Sequence, residues 1–432
     1  VDIFYLTGEQ LQLAFLPYRR DGRYAATFFL KQAFEIANGK AAVPLPEDDE
    51  PAFPLGDTRA EDGEEGSLLY ASDFAPHKPR ADVLLKATAT APAGSAVPTL
   101  DVRMRVGGLT KALRVFGERR WKWSVLRGDA PGSPEPFSSL PITYENAFGG
   151  AEWRRNPVGK GRGGDAELLP NIELPDNLVK SRRDKIEPAG FGPLDPEWQQ
   201  RKSLVGTYDE TWLKTRWPWY PEDFDFGFFN AAPRDQQVEG YLRGDEALEF
   251  ENLHAEHPLY RSQLPGLAAR CFLYERLNNG QASFREVPLV LDTLWIDLNA
   301  ERLVLVWRGN VPVRSLKLRE IERVIVSTET QSDPRSVEHY HQAMHAHMAA
   351  EEAEFDVDEE MWDTTEEDAA TEREFAEMEA EFAAMEEEFQ KLGTQAAAEE
   401  AEARERHIGG GVDPALFERT PEQADAIPQQ VD

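Results

Sequence analysis

The sequence predicts a mainly β protein: antiparallel sheets, sandwich- or barrel-like, in two subdomains, with an acidic α-helical C-terminal tail. Three observations predict it. Apolar residues alternate with polar ones in runs such as 99–106, where Leu100, Val102, Met104 and Val106 fall on one face. Glycine- and proline-rich turns punctuate such runs as far as residue 330. Beyond residue 336 the chain turns glutamate-rich, with apolar residues three and four positions apart, the spacing of a helix face. We therefore expect an N-terminal antiparallel β subdomain over 1–135, an irregular aromatic-rich insertion and second β subdomain over 136–330, and an acidic helical tail over 331–432.

In chain order, residues 11–18 and 24–34 have strand character and flank the turn-prone Arg19-Arg20-Asp21-Gly22-Arg23, which predicts a β-hairpin. Residues 43–66, rich in Pro, Asp, Glu and Gly, read as a surface loop. The runs 81–91, 99–106 and 109–116, the last two joined by Gly107-Gly108, are expected to form an antiparallel meander. Arg119, Arg120 and Lys122 flank Trp121 and Trp123. That interleaving suits a polyanion, but arginines stacked on aromatic faces at a sheet edge produce the same pattern and are the reading we expect. Between 164 and 233 regular structure is hard to assign. Trp198, Trp212, Trp217 and Trp219 argue for a compact, packed insertion, because disordered segments are poor in aromatics. Strands resume over 270–275, 286–292, 294–297 and 303–308, with a hairpin turn at Asn299-Ala300-Glu301-Arg302, and 321–327 closes that sheet.

Composition excludes several classes. A chain of 432 residues, 41% hydrophobic with ten tryptophans, has room for a large core. Its net charge is −32, and residues 336–432 hold 29 Asp and Glu against 5 Lys and Arg, which is −24 of that total. So negative a tail repels phosphates and anionic lipids, so no nucleic-acid partner is expected. No apolar run is long enough to span a bilayer, and the opening VDIFYLTGEQ has neither the basic nor the apolar region of a signal peptide. The single cysteine, Cys271, rules out an internal disulfide framework, fits a reducing compartment and reads as a small core residue. We expect a soluble, cytoplasmic protein with no direct membrane insertion.

One stretch, 136–164, concentrates prolines, aromatics and glycines and reads as an ordered connection, with Tyr144, Phe148 and Trp153 expected to pin it onto a β scaffold. Its Pro136-Phe137, Leu140-Pro141, Tyr144-Glu145-x-Ala147-Phe148-Gly149-Gly150 and Asn156-Pro157-x-Gly159-x-Gly161, preceded by Arg119-Arg120-Trp121, resemble the domain of unknown function 2169 family. The resemblance continues through Pro188-Ala189-Gly190-Phe191-Gly192-Pro193, Gly206-Thr207-Tyr208-Asp209, Asp223-Phe224-Asp225, Phe228-Phe229-Asn230-Ala231-Ala232-Pro233 and Gly240-Tyr241-Leu242-x-Gly244-Asp245-Glu246. It implies a bacterial type VI secretion adaptor or chaperone, whose partners are a secreted effector protein or a PAAR or VgrG spike protein. It implies no catalytic residues.

The tail adds features of its own. Asp333-Pro334 predicts a helix over about 334–354, with Asp as N-cap. Within it His341 and His345 lie one turn apart, a spacing that can hold Zn²⁺ or Ni²⁺. No cysteine joins them, no third ligand is fixed, and Gln342 stands where a metalloprotease helix carries Glu, so we expect neither metal nor cofactor. Thr364-x-x-Glu367 opens a second helix over 365–392, and 395–407 offers a third before a disordered end. Phe375, Met378, Phe382, Met385, Phe389 and Leu392 recur in steps of three and four, forming one apolar stripe between glutamates. Two copies would repel, so the stripe suits either a different partner or the protein's own body.

The expected function is therefore a non-enzymatic adaptor or chaperone. Its partner-binding candidates are Phe375, Met378, Phe382, Met385, Phe389 and Leu392 on the tail and Tyr144, Phe148 and Trp153 on the body. Two alternatives stay open: a β-rich glycan-acting enzyme or glycan-binding protein using the Trp-lined region beside Asp209, Glu210, Asp223 and Asp225, and a structural component of the secretion spike.

Overall fold

A computed structural model describes residues 2–7, 11–20, 22–46, 56–59, 66–92, 95–124, 128–163, 167–277 and 279–359. Local turns set the hairpins. The Gln12–Arg20 and Arg23–Glu35 strands pair antiparallel from Arg20 opposite Arg23, and Gly22 supplies the positive φ (78°) that so short a link needs. Thr99–Val106 and Leu109–Phe116 pair in the same way across Gly107-Gly108. Leu289–Asp297 and Arg302–Pro312 form a third hairpin, with Asp297 opposite Arg302.

Three larger sheets share one core. The seven-stranded sheet runs Gln237–Val238, Ala81–Lys86, Leu289–Asp297, Arg302–Pro312, Arg23–Glu35, Gln12–Arg20, with Val43–Pro44 also paired to Arg23–Glu35. The six-stranded sheet runs Ile172–Glu173, Leu109–Phe116, Thr99–Val106, Ala247–Glu251, Leu259–Gln263, Lys40–Ala41. The four-stranded sheet runs Asp2–Tyr5, Ile321–Thr330, Leu267–Arg276, Ala282–Glu286. Alternation sorts the faces: Leu303, Leu305 and Trp307 enter the shared core, while Val304 and Val306 meet Ala33 and Leu45 on the opposite side. Val102, Met104 and Leu248 join that core from the second sheet, and Leu273, Val324 and Cys271 from the third. Burial pushes the Cys271 thiol above its ordinary pKa, which keeps it protonated and unreactive.

The sheets are mixed, where the sequence suggested antiparallel ones. Asp2–Tyr5 runs parallel to Ile321–Thr330, Ala81–Lys86 parallel to Leu289–Asp297, and Lys40–Ala41 parallel to Leu259–Gln263. The expected meander is replaced by a single hairpin. Ala81–Lys86 leaves it because all but the last of its residues are buried, and a strand covered on both faces belongs inside a sheet. Ile321–Thr330 likewise pairs with Leu267–Arg276 instead of closing the sheet of Arg302–Pro312. Strands from either side of residue 135 share both larger sheets, so no sheet boundary falls there.

The described residues as far as Met348 form one compact unit. The Val337–Glu359 helix begins after Ser336, whose Oγ accepts from the His339 N–H (3.2 Å); Ser336 therefore takes the capping role expected of Asp333. Its Tyr340 and Met344 are buried against Phe272, Tyr274 and Ile325 on the outer face of the four-stranded sheet. The helices expected over 365–392 and 395–407 lie outside the described residues. Among the described residues, no helix is long and apolar enough to cross a membrane.

Candidate functional site

The stretch from 136 to 163 folds as a knot that leans on both larger sheets. Ser139–Pro141 pairs with Thr88–Thr90, Tyr144–Asn146 forms one 3-10 turn, and Phe148–Gly149 runs parallel to Lys160–Gly161. The centre is Asn156, fully buried, whose Nδ2 donates to the carbonyls of Tyr144 (2.9 Å) and Phe148 (3.1 Å). Gly149 and Gly159 press against it so closely that a Cβ on either would overlap Asn156. Glu145 accepts from the Ser67 N–H (2.6 Å) and Oγ (3.0 Å). Burial alone would raise the Glu145 carboxyl, but these and neighbouring hydrogen bonds outweigh it and hold the group below its usual range.

The three aromatic residues proposed as a partner surface separate here. Tyr144 is 2% exposed, edge-on to Trp198 (5.1 Å between centroids), and its ring fills the space beside Gly190, where a Cβ would come to 2.9 Å. Phe148 is also buried, edge-on to Trp153 at 5.3 Å. Both turn inward because Asn156 fixes their backbone, so neither presents a docking face. Trp153 alone reaches solvent, on a groove of about 690 Å³ shared with Trp121, Arg162 and Arg182. Arg162 stacks over Trp153 (5.0 Å) and Arg182 over Trp121 (4.7 Å), while Arg119 covers Phe116 (3.6 Å) and pairs with buried Glu173. The interleaved residues do not stack on one another as expected: Arg119 turns to Phe116, Arg120 pairs with Glu118 and Glu167, Trp121 is covered by the distant Arg182, and Trp123 is 71% exposed. Phe375, Met378, Phe382, Met385, Phe389 and Leu392 lie outside the described residues. His341 and His345 face each other, Nε2 to Nε2, at 3.1 Å, and no cluster of three potential metal ligands occurs among the described residues.

Tyr144 also forms the wall between two clefts. One, of about 370 Å³, is bounded by Ser67, Lys86, Ile142, Pro193 and Trp295. The other, of about 510 Å³, is lined by Arg80, Lys111, Arg201, Asn230 and Pro233, so residues from several family-like segments meet there. Lys111 donates to Asp235 (2.9 Å) and Gln236 (2.8 Å); burial lowers its pKa, and Asp235 opposes the shift. Arg201 Nε donates to the Phe228 carbonyl and Nη1 to the Leu194 carbonyl, both at 2.8 Å. Sequence reasoning missed Arg201 altogether: its acceptors are backbone oxygens, which have no residue signature.

The Trp-rich segment forms a knuckle of one short helix and the turn after it. Asp209 caps the Glu210–Thr215 helix through the Trp212 N–H (2.8 Å), and Trp212 Nε1 donates to the Trp219 carbonyl (2.6 Å). Behind it, Tyr220 packs on Phe224, Phe226 and Phe229 with centroids 4.4 to 6.0 Å apart. Tyr208, Leu213 and Trp217 are left 52%, 58% and 63% exposed. The nearby carboxylates hold backbone: Asp223 accepts from the Thr207 N–H and hydroxyl, and Asp225 from the Gly227 N–H.

Neither the comparison with curated proteins nor that with solved structures returns a match. A family profile described as "uncharacterized protein conserved in bacteria" matches residues 21–308, which takes in the knot, both clefts and the knuckle. The chain therefore belongs to the domain of unknown function 2169 family.

Proposed function

We propose that this protein is a cytoplasmic, non-enzymatic adaptor or chaperone that holds another polypeptide, as type VI secretion adaptors hold an effector or its PAAR- or VgrG-linked region. The observation that carries this reading is the solvent-facing trio Tyr208, Leu213 and Trp217 on a buttressed knuckle. Large apolar side chains grouped on one short helix and turn are costly in water, and aromatic anchors on a firm mount supply most of the energy of protein interfaces. The Trp153 and Trp121 groove, edged by Arg162 and Arg182, offers a second contact of the residue types enriched at such interfaces. The Phe and Met stripe from Phe375 to Leu392 adds an adaptable apolar contact on the acidic tail.

The test is co-expression with the effector and spike proteins encoded by adjoining reading frames. Leu213→Glu and Trp217→Ser should each cut retention of the client about tenfold or more, without altering the thermal melt of the protein. Undiminished retention in both variants sinks the knuckle as the client contact.

A further inference from the structure

Among the cations lining the 510 Å³ cleft behind Tyr144, one has no carboxylate within ion-pair distance. Of the four cations lining it, Arg80 and Arg234 both reach Glu239 (3.4 and 2.9 Å), and Lys111 reaches Asp235 (2.9 Å). Arg201 differs. It is 7% exposed, and among the described residues it has no ion-pair partner. Its Nε and Nη1 donate to two backbone carbonyls, its guanidinium lies over the Phe228 ring (5.0 Å), and Nη2 makes no hydrogen bond among the described residues. Asp57, Asp82 and Asp195 act on it only from farther away: Asp57 accepts from the Ser72 N–H, Asp82 pairs with Lys78 and Asp195 with Arg59. The acids on the cleft wall are engaged as well, Glu187 with Arg155 and Asp225 with the Gly227 N–H.

A buried charge without a counter-ion is unfavourable, and a ligand that neutralises it recovers that free energy. We propose that this cleft binds a carboxylate carried on an apolar body, with Arg201 as its charge partner. A single guanidinium suits a monoanion, whereas a dianionic phosphate would meet Glu187, Asp225 and Asp235 around the same space. Leu174, Leu194 and Leu204 supply the apolar wall, and the volume lies within the range of small-ligand sites. Two sources share this chemistry: a free organic acid, or the terminal carboxylate of a polypeptide.

Calorimetric titration of the full chain decides it, using hexanoate against hexanamide, and a leucine-ended pentapeptide as free acid against its amide. At least one acid should bind about tenfold or more tightly than its amide. Arg201→Met should abolish that preference. Because this variant also frees two buried carbonyls, Leu204→Trp, which narrows the cleft and keeps the guanidinium, serves beside it and should abolish binding. Preference in the peptide pair alone assigns the site to a chain end; preference for hexanoate alone assigns it to a free acid. No preference in either pair, or full binding by Leu204→Trp, overturns the proposal. Client retention by the knuckle does not enter these measurements, so failure here leaves the adaptor reading untouched.

Discussion

Asn156 shows how much one side chain decides. Its amide closes the loop between Tyr144 and Phe148, and Asn156→Ala strands the Phe148 carbonyl inside the protein, while the Tyr144 carbonyl keeps the Ala147 N–H (3.1 Å). We expect a loss of about 2 kcal/mol, since a buried unsatisfied group costs about 1–3 kcal/mol. Gly149→Ala should cost at least as much, because its Cβ must displace Asn156 backbone. Chemical denaturation of the two variants checks both, and a near-neutral Asn156→Ala contradicts the account. At this scale the sequence was only half legible. Aromatics among glycines announced an ordered segment, but which way Tyr144 and Phe148 face depends on where the Asn156 amide reaches. Trp153, a partner-binding candidate beside those two, is half-buried and lines a groove; Arg201 carried no signal.

Among elements, the Val337–Glu359 helix illustrates a mixed attachment. Tyr340 stacks on Phe272 (4.5 Å), and its hydroxyl donates to Glu329 (2.7 Å), which also pairs with Arg270 and accepts from the Arg335 N–H. Burial would raise the Glu329 carboxyl, yet Tyr340, Arg270 and Arg335 together hold it below its ordinary value. The folded pKa is thus depressed, so Glu329 contributes stability above the unfolded pKa of about 4.5, and that contribution is lost as pH falls through the folded pKa. Thermal melts between pH 7 and 3 should show Glu329→Gln less sensitive to acid than the parent; identical acid limbs contradict the linkage. Tyr340→Ala should loosen the helix at a cost of about 3 kcal/mol, read by the same melts. Hairpins were legible because their turns are local and coded by Asp-Gly or Gly-Gly. Parallel neighbours were not, since Ala81–Lys86 says nothing locally of Leu289–Asp297. The helix start was placed within a few residues, Ser336 having outcompeted Asp333 as the cap.

At the scale of the whole molecule, the described sheets and their shared core lie within residues 1–348, while most of the negative charge lies beyond them. A chain ended at residue 359 should therefore keep the melting temperature of the full protein while losing much of its ability to keep a client soluble. Parallel melts and co-expression check the two halves of that statement, and equal client solubility removes the tail from the mechanism. The mainly β character was legible from alternation alone, whereas the mixing of early and late strands was not. That mixing governs how the protein can be born. Among the described residues, Asp2–Tyr5 pairs with Ile321–Thr330 alone, and Arg23–Glu35 pairs along most of its length with Arg302–Pro312. A ribosome delivers the first of these long before the second exists, so translation must run past residue 330 before the third sheet can close. Until then the nascent chain carries open strand edges, and its survival depends on whatever guards it as it leaves the exit tunnel.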